Sequence, residues 1–490
     1  MIHSAFSALD WLVFGTYFFI LIASSIYLSR TKIKTSRDYF LGSTSLSMFA
    51  VAISVLATSQ SAATFLGAPE YSYTKDFTFI GFYFSALIAV IFIAVVFIPK
   101  FYEMRAITVY ELLEKRYGAR AKRGAGIMFL IGRVLASGAR LYIGAIAISM
   151  ILFSDISFSH VAISITVLML GSLAYAYFGG IRSIVLSDIF QATVYIGAGV
   201  AVLVFLYYSL GNIQIIETLQ TNNKLNFIDN SLDGNFSLIG LFSGWLLLNI
   251  AAFGLDQDMA QRILCCENKK EATKSLILSI LITIPVVLLF LTIGVFLYLF
   301  YLKSGVVQSF NGEKITVFMY YILNEMPDGL RGLVTVGAVA AALASTSSVL
   351  AAMASVAVED IYKPWKLKQG EIDDMHFVKV SRFSVLFFAL ILSLMAMVSY
   401  FWQRYSDLPL ISFALGVMAF AYTGLLGVYF SAIFTKRGNE TTVLLGLAGG
   451  FFTVLALQPY TLGFNISFSW QMVIATAVAF SIVQLGGKNE

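Results

Sequence analysis

The amino-acid sequence predicts an all-α polytopic membrane protein with about 13 transmembrane helices. Composition is the first observation. Of 490 residues, 59% are hydrophobic and only 12% are charged, too few for the charged surface of a soluble protein of this length. The second is that apolar runs long enough to cross a bilayer recur along the whole chain. The third is that these runs lack the ten-residue alternation of a β-barrel. The expected surroundings are therefore a lipid bilayer.

Thirteen apolar segments justify the helix count. They cover, in chain order, residues 9–29, 46–69, 77–98, 124–152, 160–178, 183–209, 237–262, 275–302, 330–358, 378–402, 408–434, 441–459 and 468–485. The longest loops, near 210–236 and 303–329, are short and polar. We expect a single transmembrane domain over residues 1–490, because no soluble domain interrupts these runs.

Taken in order, the segments differ in how far polar residues interrupt them. The first runs to Leu28 without a basic start, which indicates a retained helix and not a cleaved signal. The second contains LATSQSAAT and the fourth contains two arginines. A tight turn, GGIRS, separates the fifth from the sixth, and the sixth contains Asp188. The seventh ends in DQDMAQR, and the ninth contains LASTSSVLAAMAS. Apolar length alone predicts the others.

The basic residues predict the orientation. With the N-terminus outside and the C-terminus in the cytoplasm, 24 of the 32 Lys and Arg residues fall in or beside cytoplasmic loops. Six fall outside, and two, Arg133 and Arg140, lie within a span. This bias follows the positive-inside rule. One missed or invented helix would invert every later loop, so the bias also supports the count.

Enzymatic function has little support in the sequence. It has no Cys/His metal cluster, P-loop or nucleotide-binding glycine fingerprint, and its three His residues fall at ends or loops. The two cysteines, Cys265 and Cys266, are adjacent and cannot form a disulfide framework. We expect a protein that is not an enzyme and that has no nucleic-acid partner.

Polar groups at membrane depth point instead to transport. Each also has a structural interpretation: serine and threonine bond back to a helical carbonyl, Asp188 caps a helix end, and Arg133 snorkels to the surface. For Arg140, further into the span, a structural partner or a water-filled cavity is expected. Asp188 lies ~8 Å into the membrane, at the level of Ser347 and Ser348.

Oxygen ligands at one depth are what a dehydrated monovalent cation needs. Ala341, Ser345 and Ser348 share one helix face, and a break in the second span would add free backbone carbonyls. Sodium fits this set, with Asp188 balancing its charge. A proton could use the same aspartate but would not need the hydroxyl cluster.

Five motifs together resemble the sodium:solute symporter family over nearly the whole chain. They are SRDYFLGSTSLS, VLATSQSAATFLGAP, GGIRSIVLSDIFQ, DQDMAQR and AAALASTSSVLAAMASVAVEDIY. The resemblance implies a LeuT-like fold of two inverted five-helix repeats, 46–209 and 237–434, with accessory helices in 1–45 and 435–490. It also implies that the second span is broken near Thr58 to Ser61, at the substrate site.

The resemblance further implies two sodium sites. The main site would use the carbonyls of Ala57, Gln60 and Ala341 and the hydroxyl of Ser345. A possible second site would use Asp188, Ser347 and Ser348. Family members often have a further hydroxyl where this chain has Ala344, whose carbonyl, or a water, would have to replace it. One sodium ion is expected, with a second possible.

Substrate residues follow from a closer likeness. FLIGRV, Phe129 to Val134, resembles the sialic acid branch of the family, in which this arginine pairs with the substrate carboxylate; Arg133 matches it. The same likeness implies the contacts Ser59, Ser61, Thr64 and Asn249. Where that branch has a glutamine in the third span, this chain has the aromatic residues Phe79, Phe82 and Tyr83, which would also suit a sugar ring.

The sequence therefore predicts a sodium-coupled symporter of the inner (plasma) membrane that imports a small organic solute, such as the carboxylate sialic acid. The alternatives are a sodium/sugar or sodium/amino-acid symporter, an uncoupled channel, or a transporter-like sensor. The stretch GLDQDMAQR is expected either to form an inner gate, in which Asp256 or Asp258 pairs with basic loop residues, or to be a solvated helix end.

Overall fold

The computed structural model describes residues 6–28, 33–42, 46–211, 213–231, 234, 236–302, 309–310, 313–370, 373–406, 410–463 and 466–487. Nearly all of these residues are helical. The helices are α1 (Ala8–Leu28), α2 (Ser36–Leu41), α3 (Met48–Ser59), α4 (Ala62–Thr74), α5 (Gly81–Glu103), α6 (Glu111–Tyr117), α7 (Ala119–Phe153), α8 (Phe158–Ser209), α9 (Ile215–Thr221), α10 (Leu238–Phe242), α11 (Gly244–Ile250), α12 (Gln257–Ile263), α13 (Lys269–Tyr301), α14 (Val317–Asn324), α15 (Leu330–Ser355), α16 (Lys363–Leu367), α17 (Asp374–Ser406), α18 (Leu410–Phe434), α19 (Glu440–Ala456), α20 (Pro459–Leu462) and α21 (Phe468–Gln484).

Three short segments extend these helices with a different pitch. Thr78–Ile80 is a 3₁₀ turn before α5, whereas Ala251–Leu255 and Val356–Tyr362 are π-helical and continue α11 and α15. One small antiparallel hairpin joins β1 (Ser309–Phe310) and β2 (Glu313–Lys314). π-Helical turns are rare and occur often at functional sites.

The apolar helices agree with the predicted spans at a coarse level. Among the described residues, nine helices are long and apolar enough to cross a membrane, and the bent pair α3 and α4 makes a tenth. The apolar helices α19 and α21 have 17 residues each. At 52 residues, α8 is far longer than the ~20 that a bilayer needs, and it contains both the predicted fifth and sixth spans. The count of thirteen stays a prediction.

The bend within α8 lies at Gly180, inside the predicted GGIRS turn. Gly180 has φ 59° and ψ −160°, a conformation that residues with a side chain rarely adopt. A Cβ at this position would lie 2.5 Å from the carbonyl oxygen of Tyr39. Both the backbone conformation and the close approach of α2 therefore require glycine here.

The predicted break in the second span is present. The axes of α3 and α4 differ by 65°, and two extended residues separate the helices: Gln60 (φ −82°, ψ 143°) and Ser61 (φ −143°, ψ 170°). Gln60 still donates its N–H to Leu56, but the next backbone bonds, from Thr64 and Phe65, both go to Ser61. The ends of two half-helices therefore meet in the interior of the protein.

Helix α15, which contains the hydroxyl run, is the most enclosed of the apolar helices. Every residue from Val334 to Ser355 is buried. Gly, Ala and Ser dominate this stretch, and small residues let helix backbones approach closely in a membrane. Its most extensive packing is against α8, and it also contacts α1, α3 and α7. The hydroxyl groups therefore lie in the protein interior and not against lipid.

The segments predicted as polar loops contain more structure than expected. Helix α9 lies in 210–236, and the hairpin and α14 lie in 303–329. Lys224 is buried and donates to the carbonyls of Tyr73 (2.6 Å) and Lys75 (2.9 Å), which fixes its segment against the end of α4. Apolar length cannot predict such elements, because they are short and are stabilised by contacts with the helix ends.

Candidate substrate and sodium sites

A cavity with an empty volume of about 780 Å³ lies at the break between α3 and α4. All seven residues predicted to contact substrate line it, although they come from five separate helical segments. They are Ser59, Ser61, Thr64, Phe79, Tyr83, Arg133 and Asn249. The sequence did not single out Phe253, Met259, Met418 and Tyr422, which also line the cavity. Apolar residues of this kind look like ordinary packing residues in a membrane sequence.

The N-terminus of α4 supplies one polar end of the cavity. Ser61 precedes the helix, and its side chain makes no capping hydrogen bond. Ser61, Ala63 and Thr64 all line the cavity. The first N–H groups of a helix have no partner within it, and the helix dipole adds partial positive charge there. This end of the cavity therefore favours an anionic group.

Asn249 supplies a hydrogen-bond acceptor. Its Nδ2 donates to the carbonyl of Phe82 (3.2 Å), which orients the amide. Its Oδ1 is buried and has no partner in the part of the chain that the structure describes. A buried acceptor without a donor is costly, so a ligand with an O–H or N–H group would find a place here. The π-helical turn begins two residues later.

The third-span aromatic residues form one wall. Phe79 and Phe82 stack with ring centroids 6.1 Å apart, and Tyr83 meets Phe82 edge to face at 5.1 Å. Trp245 packs on the other edge of Phe82 at 5.6 Å. The wall is rigid, because each ring is held by another. Its apolar surface fits the prediction of a more aromatic pocket.

Arg133 is held by two aspartates of the stretch DQDMAQR. Its Nη2 lies 2.5 Å from Asp256 Oδ2 and 3.1 Å from Asp258 Oδ2, and its Nε donates to Asp256 Oδ1 at 3.1 Å. Tyr422 also donates a hydrogen bond to Asp256. All four side chains are buried. Arg133 does not snorkel, and its positive charge is balanced within the protein.

The two aspartates have different partners. Asp258 pairs with Arg262, which the sequence counts with the basic residues of the following cytoplasmic loop, whereas Asp256 pairs with Arg133 on α7. An inner gate at this place stays a prediction. The alternative of a solvated helix end is wrong, because both carboxylates are buried. Asp256 is the N-cap of α12 and its side chain accepts from the N–H of Asp258, so this helix end packs into the protein.

Arg140 has a different environment. It lines the same cavity, and its Nη2 contacts Met418 Sδ at 3.1 Å. No carboxylate of the described residues forms an ion pair with it. A thioether sulfur is a weak acceptor and balances no charge. The expected water-filled cavity fits this arginine better than a structural partner does.

The residues predicted to form the main sodium site lie on two elements that meet, the broken second span and α15. Thr58 Oγ1 and Ser348 Oγ are 3.1 Å apart and join the two helices at this level. Ala57 and Gln60 flank Thr58, and none of the described N–H groups is bonded to their carbonyls. Ser345 lies about one turn before Ser348, and its hydroxyl bonds back to Ala341 (3.2 Å) and Ala342 (3.0 Å).

The Ala344 carbonyl is already used. It accepts hydrogen bonds from Ser347 (3.4 Å) and Ser348 (2.5 Å). As a substitute ligand for the missing hydroxyl, it would have to give up these bonds or share its lone pairs. The predicted main site therefore has fewer free oxygens in this chain than the family resemblance implies.

The second predicted sodium site contains a guanidinium group. Arg262 Nη2 bridges Asp188 Oδ2, at 3.3 Å, and the hydroxyl of Ser348. Asp188 Oδ2 also accepts from Ser54 (2.5 Å), whereas its Oδ1 is buried without a described partner. The sequence placed Arg262 in a cytoplasmic loop, but the structure buries it completely. Its spacing of four residues from Asp258 was the available signal.

Comparisons with known proteins agree with one another. A model of the sodium:solute symporter family matches residues 39–450. The sodium/sialic acid symporter NanT of Aliivibrio fischeri is 25% identical over 488 residues, which covers 96% of this chain and 91% of the relative. The sodium-coupled monocarboxylate transporter 1 of Homo sapiens is 25% identical over 454 residues, covering 90% of this chain and 73% of the relative.

A solved structure extends the comparison to the fold. The chain superimposes with a TM-score of 0.82 and 22% identity on the substrate-bound outward-open state of a Na⁺-coupled sialic acid symporter. The likeness covers 98% of both chains. At this identity it shows a shared fold.

Proposed function

Because the chain belongs to the sodium:solute symporter family, we propose that it imports a small organic carboxylate together with sodium by alternating access. The chain is a sodium-coupled symporter and not an enzyme. Its substrate is the open question. Relatives named for sialic acid and for monocarboxylates both act on carboxylates, and the cavity here has the chemistry to accept one.

One observation carries the substrate class. The cavity at the Gln60–Ser61 break is lined by two arginines and the N-terminus of α4, and by no aspartate or glutamate of the described residues. Arg140 and the N-terminus of α4 have no paired carboxylate among the described residues, and such positive groups favour an anion. Sialic acid is our first candidate.

The aromatic wall supports a second candidate, a sodium/sugar symporter. Phe79, Phe82 and Tyr83 offer apolar faces to a sugar ring, and Asn249 Oδ1 would accept from a ring hydroxyl. Sialic acid unites both features, because it is a sugar with a carboxylate. A neutral sugar would leave the arginine charge unused.

We propose that sodium binds first at the carbonyls of Ala57, Gln60 and Ala341 and the hydroxyl of Ser345. What supports this site is the break in the second span and its junction with α15 at Thr58 and Ser348. Bound sodium would favour the outward-open state, and substrate would then permit closure. Coupling requires only that each ligand stabilises the other's bound state. A second ion at Asp188, Ser347 and Ser348 would have to displace Arg262.

For the membrane arrangement we propose thirteen spans in the plasma membrane, with the N-terminus outside and the C-terminus in the cytoplasm. The inverted repeats would be 46–209 and 237–434, and 1–45 and 435–490 would hold the accessory helices. The distribution of Lys and Arg supports this orientation. The kink at Gly180 supports two spans within α8, since it divides 52 residues into two lengths that each suit a bilayer.

Uptake into proteoliposomes tests the proposal. With an inward sodium gradient, we expect accumulation of one carboxylate from a panel of sialic acid, L-lactate, pantothenate, proline and glucose. Replacing sodium with choline should abolish it. Accumulation of glucose alone would favour the sugar alternative. Equal uptake with and without the gradient would indicate an uncoupled channel and would contradict the proposal.

A further inference from the structure

The two arginines of the cavity differ in charge balance. Arg133 makes three charged contacts, to both carboxylate oxygens of Asp256 and to Asp258. Among the described residues, Arg140 forms a hydrogen bond only with the sulfur of Met418. Both line the cavity. Only one of them therefore has a positive charge that the described part of the protein does not pair.

A substrate carboxylate at Arg133 would meet a third negative group. Asp256 and Asp258 already flank its guanidinium, and both are buried, so solvent screens them little. Two carboxylates near one another repel and resist joint ionisation. Arg133 Nη1 is buried without a partner among the described residues, but a carboxylate bound there would lie on the same guanidinium as Asp256 and Asp258. The pairing instead holds α12 against α7.

A substrate carboxylate at Arg140 would meet the opposite situation. A guanidinium at membrane depth is costly unless it has an anion or water. Its one hydrogen-bond partner in the described part of the chain, the Met418 sulfur, is a weak acceptor. The α4 N-terminus, on the same cavity, adds partial positive charge and the free hydroxyl of Ser61. The geometry points to a site that attracts an anion and that no carboxylate of the described residues fills.

We propose that Arg140, and not Arg133, binds the carboxylate of the substrate, while Arg133 is a positioning residue that holds Asp256 and Asp258. This rests on the proposed function and names the residue that selects an acid. Asn249 Oδ1 is buried and accepts no hydrogen bond from the described residues, so the substrate should also supply a hydrogen-bond donor. The substrate is a small carboxylate that also carries a hydroxyl or an amide N–H.

The test compares an acid with its neutral form. Sodium-driven uptake of labelled sialic acid is measured in proteoliposomes with unlabelled sialic acid or its methyl ester as competitor. L-lactate, with lactamide as its neutral competitor, covers a short substrate. The variants are Arg140→Gln, Arg140→Lys and Arg120→Gln. Arg120→Gln is the matched control, because Arg120 lies on the same helix, is 77% exposed and pairs with Glu440 away from the cavity.

We expect Arg140→Gln to raise the KM for the acid about 10- to 100-fold and to abolish the preference for the acid over its neutral form. Arg140→Lys should recover part of the affinity, because it keeps the charge without the planar fork. Arg120→Gln should resemble the wild type. Thermal unfolding of each variant checks the fold. If Arg140→Gln does not fold, the role of Arg140 is judged from the KM and the acid preference of Arg140→Lys.

The assignment of Arg140 would be overturned if the Arg140→Gln protein folds, still accumulates the acid and still prefers the acid to its neutral form. Sodium-coupled import of a carboxylate would remain supported in that case. The same conclusion follows if Arg140→Gln does not fold and Arg140→Lys keeps the wild-type KM and the wild-type preference for the acid. Sodium-driven uptake of a neutral sugar alone would overturn both the assignment and the carboxylate substrate, and leave sodium coupling intact. A wild-type protein that accumulates none of the panel would remove the proposed function and the assignment together.

Discussion

Arg262 and Asp188 form an ion pair in which both side chains are completely buried, with Nη2 of the arginine 3.3 Å from Oδ2 of the aspartate. The same nitrogen contacts Ser348. An arginine therefore has the ligands that the sequence assigns to a second sodium ion. Two cations cannot share these oxygens, because their repulsion is strong where solvent is absent. Sodium at this place requires Arg262 to move.

Asp188→Asn is expected to affect both stability and sodium dependence. From the sequence, Asp188 should matter more for sodium dependence than for the fold, but the ion pair with Arg262 adds a structural role. Asparagine keeps the shape and can still accept from Ser54, and Arg262 keeps Asp258. We expect a loss of about 1–3 kcal/mol of unfolding free energy and a shifted sodium activation curve.

Thermal unfolding and uptake against sodium concentration measure these two effects. Asp155→Asn is the matched control, because Asp155 lies in a loop, is 40% exposed and pairs with His160. It should leave the sodium curve unchanged. An unchanged curve for Asp188→Asn would show that this carboxylate is not used by sodium.

Arg262→Gln should increase the response to sodium although it lowers stability. The variant removes the guanidinium that competes for Asp188 and Ser348, so sodium ions bind these oxygens at lower concentration. A ligand that binds only the folded state raises the unfolding temperature by mass action. We expect a larger difference in Tm between NaCl and choline chloride than in the wild type. An equal or smaller difference would argue for one sodium ion per cycle.

Arg133 and Asp256 should behave as a coupled pair. Their two contacts, at 2.5 and 3.1 Å, are buried, and removal of one partner leaves an unbalanced charge. We expect Arg133→Gln and Asp256→Asn each to destabilise the protein, and the double variant to be more stable than the sum of the two losses by about 1–3 kcal/mol. Thermal or denaturant unfolding in detergent gives the four values. Additive losses would mean that the pair contributes no interaction energy.

Gly180→Ala should prevent or severely impair folding. The added Cβ would lie 2.5 Å from the Tyr39 carbonyl oxygen, and φ of 59° is strained for alanine. A loss of about 1–3 kcal/mol is expected from the backbone alone, and the clash adds to it. Gly197→Ala, in the same helix and with nothing within 4 Å of its Cβ, should be neutral or slightly stabilising. Yield and Tm in detergent measure both; similar values would contradict the kink.

The sequence predicts this fold well where a long apolar run or a local break defines an element. The break at Gln60 and Ser61 and the seven predicted residues that line the cavity could be predicted because the motifs that contain them resemble a known family. The partners of the charged side chains could not be predicted. Arg262 stands near the end of the seventh apolar run, and only tertiary packing places it against Asp188 on α8. Ion pairs between distant helices leave no local pattern.

Ser345→Ala should weaken sodium activation, whereas Thr346→Val should not. Both hydroxyls bond back to the Ala342 carbonyl, at 3.0 and 2.8 Å, and both are buried in α15. They differ in helix face, since Ser345 lies about one turn from Ser348, which contacts Thr58 at the break. Loss of one ligand to a charged group costs about 1.5 kcal/mol or more, so the half-activating sodium concentration should rise about tenfold for Ser345→Ala.

Uptake of one carboxylate substrate over a range of sodium concentrations, with choline keeping ionic strength constant, measures this. Thr346→Val retains the shape of the side chain and removes only its hydroxyl. It therefore measures what is lost when a hydroxyl of the same turn no longer bonds back to the helix. If both variants shift the curve equally, the hydroxyl of Ser345 acts only through helix packing. A tenfold shift for Ser345→Ala alone would assign its oxygen to the ion, because the bond to the Ala342 carbonyl has a counterpart at Thr346.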